Sequence, residues 1–114
     1  MRIAPLTSLP AGPDAVKGTS PPGAVLLGGT NAAKLTFAVS AGVVTLTPHW
    51  WNQTANTWIP AKASTTAVYS LQANAASQAV VNEIFPKASE PQWWMLLSAG
   101  GGTVSYCDIE ETMS

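Results

Sequence analysis

The sequence is poor in charge, in cysteine and in long hydrophobic runs, and each shortage excludes a class of protein. Charged residues make up 10% of the 114 residues, and the formal net charge is -1. Nucleic-acid binding needs a basic stripe along the phosphates, which five lysines and arginines spread from Arg2 to Lys87 do not form. We therefore expect no nucleic-acid partner.

The shortage of cysteines and of apolar runs excludes disulfide cross-links and a membrane-spanning helix. Cys107 is the only cysteine, which excludes an intrachain disulfide and a cysteine-based zinc site. No apolar run approaches the roughly 20 residues of a membrane-spanning helix. Pro5, Pro10 and Pro13 interrupt any signal-peptide core. These features predict a protein made in the cytoplasm, without a membrane partner, that reaches its final place by assembly.

Side chains suited to catalysis are also few. His49, the only histidine, lies in an alternating run that is typical of a surface strand residue. Cys107 lies among β-forming residues, as a small buried apolar group usually does. No Gly-x-Ser-x-Gly elbow marks a nucleophile, and Asp108, Glu110 and Glu111 are interpreted as a solvated C-terminal end. We expect no enzyme activity, no cofactor and no bound metal.

What the sequence does contain is a sharp change of composition near Gly23. Five of its nine prolines lie in the first 22 residues, a composition that neither propagates a helix nor completes a strand ladder. We therefore divide the chain into an extended N-terminal arm, residues 1–23, and a folded domain, residues 24–114. Leu6, Leu9 and Val16 give the arm apolar side chains. The arm is either a disordered tail or a segment that orders against a partner or a neighbouring subunit.

From Ala24 onward, short alternating segments between turn signals predict an all-β domain, a small antiparallel β-sandwich or jelly-roll-like barrel. Residues 35–39 and 44–50 alternate in hydrophobicity on either side of Ala41-Gly42, which predicts a hairpin. The second of these strands continues to Trp51, and residues 57–59 begin a return strand after a polar loop.

The remaining strands are predicted with less uniform patterns. Segments 24–27, 67–71, 92–98 and 103–109 have strand composition, and the last two are predicted to form a hairpin across the glycines at 100–102. Residues 74–85 mix helix-forming and strand-forming residues, and we prefer strand. The total is seven or eight strands, enough for two packed sheets.

The tryptophans are the most informative residues. Trp50-Trp51 and Trp93-Trp94 are adjacent pairs, and neighbouring side chains on a strand point to opposite faces, so one member of each pair is expected to point outward. Such a ring either covers a loop or the arm of its own chain, anchors an interface, or stacks on a sugar. Trp58 is expected close to Trp50 or Trp51 across the hairpin.

The whole organisation resembles the small β-sandwich proteins of tailed-bacteriophage virions, in particular capsid decoration or cement proteins and head-fibre bases. The resemblance is carried by the Pro/Gly-rich arm, the low charge, the Ala/Thr/Ser-rich strands and the hairpin that contains Trp58. Such proteins bind the outside of a capsid, often as trimers, and N-terminal arms commonly make the attachment. The resemblance implies a location on the virion capsid surface, the major capsid protein as partner, and a homotrimer.

The expected function is therefore that of a non-enzymatic virion structural protein that stabilises a capsid by bridging its major subunits, with the arm facing the capsid. The candidate interface residues are Leu6, Leu9, Val16, Trp50, Trp51, Trp58, Trp93 and Trp94. Two alternatives stay open. One is a carbohydrate-binding or host-receptor-binding β-sandwich module that uses the tryptophan cluster, and the other is a tail or baseplate structural component.

Overall fold

The computed structural model describes residues 1–14 and 16–113, and it is a sandwich of two antiparallel β-sheets. The strands in chain order are β1 (Val25–Leu27), β2 (Ala32–Ala41), β3 (Val43–Asn52), β4 (Thr57–Pro60), β5 (Leu71–Asn74), β6 (Val80–Pro86), β7 (Gln92–Ala99) and β8 (Thr103–Thr112). The five-stranded sheet has the order β1-β7-β3-β4, with β5 also paired to β3, and the three-stranded sheet has the order β6-β2-β8. The expectation of a small antiparallel β-sandwich is confirmed.

The core lies between the two sheets and is built from alternate residues of the strands. On β2, Leu35 and Phe37 are fully buried, whereas Thr36 between them points to the other face and is half-buried. Phe85 of the three-stranded sheet packs on Trp94 of the five-stranded sheet, with ring centroids 5.1 Å apart. Removing such apolar faces from water, at about 25 cal/mol per Å², is what holds the sheets together.

The turn at Ala41-Gly42 does not close a hairpin. β2 and β3 lie in different sheets, so the predicted hairpin is wrong and the turn carries the chain across the sandwich. Gly42 has a φ of 69°, which suits the tight turn that the sequence does predict. A strand with one buried face can pair with its neighbour in the same sheet or lie in the facing sheet. The alternation of β2 and β3 is compatible with both arrangements and therefore does not determine whether they pair.

The glycines at 100–102 make a second crossing between the sheets. β7 pairs with β1 and β3, whereas β8 pairs with β2, so the predicted hairpin of the last two strands is also wrong. The two crossings touch each other, because a Cβ on Gly42 would lie 2.9 Å from the Gly102 Cα. Their glycines permit a close approach of two backbones at one end of the sandwich.

The other strand predictions are confirmed in part. β1 and the β3–β4 hairpin form as predicted, and the strand preference for residues 74–85 is correct over β6. The strand predicted at 67–71 is wrong, since β5 begins only at Leu71. Ser64 Oγ accepts a hydrogen bond from the Ala67 amide at 3.1 Å and fixes a turn there, which is the usual competition of serine with strand pairing.

The first residues of the arm lie along both sheets. Ile109 N donates to Met1 O at 2.9 Å and Ile3 N donates to Cys107 O at 3.2 Å, both on β8. Leu6 then forms a parallel bridge with β7. Ile3 is only 5% exposed and belongs to the core. The beginning of the arm therefore connects an edge of the three-stranded sheet to the five-stranded sheet.

Candidate binding cleft

The adjacent tryptophans divide between the two faces of the five-stranded sheet. Trp50 on β3 is directly opposite Trp94 on β7, and both pack in the core between the sheets. Trp51 is opposite Trp58 on β4, and Trp93 lies on the same outer face. The prediction that one member of each pair points away from the core is confirmed, and the outward members are Trp51 and Trp93.

The outward tryptophans form a row across four strands. The last pair of β3 and β7 is Trp50 with Trp94, and continuing this register by one residue places Trp93 next to Trp51. Leu26 on β1 is opposite Trp93. Trp51 and Trp58 meet edge to face, with ring centroids 5.2 Å apart and ring planes at 70°, which is a favourable aromatic geometry. We call Trp58, Trp51, Trp93 and Leu26 the outer row.

The arm covers one half of the outer row. Trp58 Nε1 donates a hydrogen bond of 2.9 Å to the Pro10 carbonyl oxygen, and Trp58 is only 7% exposed. Gly12 lies so close to Trp51 that a Cβ there would be 2.2 Å from the nearest ring carbon. Of the three roles considered for an outward tryptophan, Trp51 and Trp58 therefore have the first, because they pack against the arm of their own chain.

The arm also buries the residues between its contacts with β7 and β4. His49 and Met95 are directly opposite each other on the outer face and are 7% and 0% exposed. His49 was expected at the surface, and this is wrong because the arm crosses above it. Its Nδ1 lies 3.0 Å from the Thr47 carbonyl oxygen. The arm thus acts as a third layer over part of the five-stranded sheet.

Leu26, Trp93 and the part of Trp51 that the arm leaves exposed form the floor of an open cleft of about 890 Å³, which we call the Trp51–Trp93 cleft. Its sides are formed by the turn between β3 and β4, by the arm and by the residues before β7. The main polar lining residues are Asp14, Thr19, Asn52, Gln53, Asn56 and Glu90. The cleft therefore combines an aromatic floor with a lining rich in hydrogen-bonding side chains.

Hydrogen bonds hold two of these polar side chains in place. Asp14 Oδ1 accepts from the Val16 and Lys17 amides at 3.0 Å and 3.1 Å, which fixes the loop of the arm. Asn52 Oδ1 accepts from the Ala55 amide at 2.9 Å, which fixes the β3–β4 turn. Within the described ranges, the cleft is lined by two carboxylates and by no lysine or arginine.

The apolar residues of the arm differ in how much they are exposed. Leu6 is half-buried beside Leu97, whereas Leu9 is 48% exposed and Val16 is 97% exposed. Leu9 and Val16 are therefore available to a partner, and Leu6 is engaged within the chain. Among the tryptophans proposed as interface residues, Trp94 is enclosed in the core.

A buried lysine supports the segment that leads into the cleft. Lys87 is 8% exposed, and burial lowers its pKa, while the carboxylates of Glu111 and Glu90 act in the opposite direction. Its Nζ donates to the carbonyl oxygens of Gly28 (2.6 Å), Thr30 (2.8 Å), Ala88 (2.7 Å) and Glu90 (3.2 Å). The burial of Lys87 is not predictable from the sequence, because a single lysine near prolines gives no sign of it.

The acidic residues near the C-terminus have separate partners. Asp108 Oδ1 lies 3.5 Å from Arg2 Nε, and Glu111 accepts a hydrogen bond from the Gly28 amide. Glu110 is exposed on β8. In the part of the chain that the structure describes, no group of three or more histidine, cysteine or acidic residues is arranged to hold a metal ion.

Cys107 is buried on the inner face of β8, as predicted. Burial raises the pKa of its thiol to about 12, with a further contribution from Asp108. The thiol therefore stays protonated at neutral pH, and a protonated thiol is a poor nucleophile.

The outer face of the three-stranded sheet differs from that of the five-stranded sheet. Val80 and Ile84 on β6 are 51% and 52% exposed there. Between them, Asn82 accepts a 3.3 Å hydrogen bond from the Thr36 hydroxyl. Of the described strands, only β2 pairs with β6, so the other edge of β6 presents unpaired backbone donors and acceptors.

Comparison with known proteins identifies no relative: no family model matches the chain, and no similar protein was found among curated proteins or solved structures. A search of the described residues finds no helix long and apolar enough to span a membrane.

Proposed function

We propose that the protein is a non-enzymatic structural component of a tailed-phage virion, which binds the outside of the capsid as a homotrimer and bridges neighbouring major capsid subunits. The observation that carries this proposal is the exposed edge and face of β6. Val80 and Ile84 are half exposed on a strand with one open edge. An open, β-branched edge strand is a ready site for pairing with an extended segment of another chain.

The charge pattern around β6 supports a protein partner. Lys34 on β2 is opposite Ile84 on one side and Glu110 on the other, so this part of the face carries charges of both signs beside exposed apolar groups. Such a mixed surface suits a protein interface, in which apolar contacts are surrounded by polar groups. The proposed occupant is an extended segment of the major capsid protein paired along β6.

The arm supplies the second proposed contact. Leu9 and Val16 are exposed although the arm is tied down on both sides of Leu9. A subunit that contacts one capsid protein through β6 and another through the arm bridges them. Many weak bridges on one shell act together, since each bound copy raises the local concentration of the next contact.

Sedimentation with capsid shells prepared without this protein tests the proposal. The double variant Val80→Lys, Ile84→Lys is expected to lose co-sedimentation, because it puts two charges into the apolar contact. The control is Val68→Lys, since Val68 is 42% exposed but lies outside the strands of either sheet. Wild-type protein that does not sediment with shells, or a double variant that sediments like the wild type, would contradict the proposal.

The arm contact is tested with exposed residues and without a deletion, because Ile3 belongs to the core. The double variant Leu9→Lys, Val16→Lys is expected to weaken co-sedimentation while the protein stays folded. Retention of full binding by this variant would remove the arm from the proposed interface and leave β6 as the attachment site.

A further inference from the structure

We propose that the Trp51–Trp93 cleft binds a neutral oligosaccharide, a function that is independent of the β6 contact and of the capsid. The cleft is on the outer face of the five-stranded sheet, and β6 is on the other sheet. The protein is therefore able to hold a glycan and a protein partner at the same time.

Two tryptophans, Trp51 and Trp93, line the floor of the cleft. Both are half-buried, so each ring is anchored by the sheet and keeps an exposed part. They belong to adjacent strands, β3 and β7, which are about 4.8 Å apart. The apolar C–H face of a pyranose packs on an exposed indole, because an aromatic face is both apolar and electron-rich.

The position of Trp51 is fixed before any ligand arrives. Trp58 packs edge to face against it, and Gly12 lies against its ring. Trp58 is itself held by the hydrogen bond to Pro10. A rigid aromatic ring loses little conformational entropy on binding, which favours affinity.

The walls supply the hydrogen bonds that a sugar requires. Saccharide hydroxyl groups both donate and accept, and the side-chain amides of Asn52, Gln53 and Asn56 on the β3–β4 turn do the same. Asn52 Oδ1 already accepts a backbone hydrogen bond, so its amide NH₂ is directed by the turn. Thr19 and Ser20 of the arm add hydroxyl groups to the lining.

The charge of the lining selects against acidic sugars. Asp14 and Glu90 contribute two carboxylates, and no lysine or arginine among the described residues lines the cleft. A uronic or sialic acid would bring a further negative charge to this site without a cation to pair with it, which is unfavourable. A neutral saccharide carries no such penalty.

The size of the cleft favours an oligosaccharide over one sugar ring. Small-molecule sites have volumes of roughly 300–1,000 Å³, and this cleft, at about 890 Å³, is at the upper end. A proline-rich peptide is the other ligand that aromatic grooves bind. The part of the outer row suited to it, Trp58, is already occupied by Pro10 of the same chain.

A glycan array that displays neutral and acidic oligosaccharides tests this proposal with the full-length protein. Saturable binding is expected to neutral glycans and not to acidic ones. Binding to acidic glycans alone, or to no glycan on the array, would overturn the proposal, as would preferential binding to a proline-rich peptide spotted beside them.

Titration with the best neutral glycan of the array, followed by tryptophan fluorescence, identifies the site. Trp93→Ala is expected to weaken binding about tenfold, which is about 1.4 kcal/mol, because it removes an aromatic face on which the sugar packs. Gln53→Ala is expected to weaken binding without disturbing the core. The matched control is Tyr106→Ala, an aromatic on β8 of the other sheet, which is expected to leave the affinity unchanged. Equal affinity of Trp93→Ala and wild type would contradict the proposal.

Failure of the glycan proposal and failure of the capsid proposal are distinguishable. The variant Val80→Lys, Ile84→Lys is expected to keep glycan binding and to lose capsid binding. Trp93→Ala is expected to show the reverse. A variant that loses both activities together would show that the two surfaces are not independent.

Discussion

The outer faces of the two sheets differ in how far they are covered by the rest of the chain. On the five-stranded sheet, the arm crosses the outer face and buries His49, Met95 and Trp58 to less than a tenth of their free exposure. On the three-stranded sheet, Val80 and Ile84 of the outer face are about half exposed. The first face is covered in part by the chain's own N-terminal arm, and the second leaves apolar groups exposed.

The comparison shows that strand alternation alone does not tell which outer face is covered. The outer face of β3 includes Thr45 and Thr47, and that of β2 includes Thr36, so both look solvated in sequence. The difference lies in the tryptophans at one end of the five-stranded sheet, which bury a large apolar area only when another segment covers them. Predictions about the arm and about β6 therefore test the two halves of this comparison.

The largest expected effect comes from removing the covering segment. Deleting residues 1–14 is expected to lower the free energy of unfolding by more than about 3 kcal/mol, since the loss of one buried isoleucine such as Ile3 costs about 2–5 kcal/mol. Urea denaturation followed by tryptophan fluorescence measures it. An unchanged unfolding midpoint would show that the arm does not contribute to the fold.

A smaller effect is expected where the arm lies on Trp51. Gly12→Ala places a Cβ about 2.2 Å from the ring, and relieving this overlap is expected to cost about 1–3 kcal/mol. Gly101→Ala is the control, because no atom lies within 4 Å of the added Cβ. If the two variants unfold at the same urea concentration, Gly12 does not lie against Trp51 in solution.

The hydrogen bond between Trp58 and the arm is expected to make a still smaller contribution to the free energy of unfolding. Trp58→Phe keeps an aromatic ring but removes the Nε1 donor to Pro10, and we expect a loss of about 0.5–1.5 kcal/mol from the hydrogen bond. Faster exchange of the Asp14 amide, which donates to Thr19 O at 3.1 Å, is expected to accompany it. Unaltered exchange there would mean that other contacts hold the arm down.

The smallest effect on stability is expected on the uncovered face. The variant Val80→Lys, Ile84→Lys is expected to change the free energy of unfolding by about 0.5 kcal/mol or less, as exposed substitutions usually do. The same denaturation experiment measures it. A loss as large as that of the arm deletion would show that this face is covered in the free protein.

The strands were predictable from the sequence because their signals are local. Alternation over residues 35–39 and 44–50 and the Ala41-Gly42 turn depend on neighbouring residues only, and both strands form. Adjacent tryptophans on a strand must point to opposite faces, so their division was predictable as well. Which member enters the core was not, because that depends on the sheet to which the strand belongs.

The features that the sequence did not predict depend on contacts between distant residues. A tight glycine turn has the same composition whether it closes a hairpin or crosses between sheets, so both crossings were assigned as hairpins. Lys87 is buried because carbonyl groups from residues 28–30 and 88–90 converge on its Nζ. The cleft exists because the arm folds back onto the row that begins at Trp58, a contact across 48 residues.

Amide hydrogen exchange of the free and the capsid-bound protein tests the central claim most directly. We predict that β6 amides on its open edge exchange rapidly in the free protein and become protected on capsid shells. The amides of Leu6 and Ser98, which already bond across the arm and β7, are expected to be protected in both states. Protection of the open edge of β6 in the free protein, or no change at β6 on binding, would contradict the account.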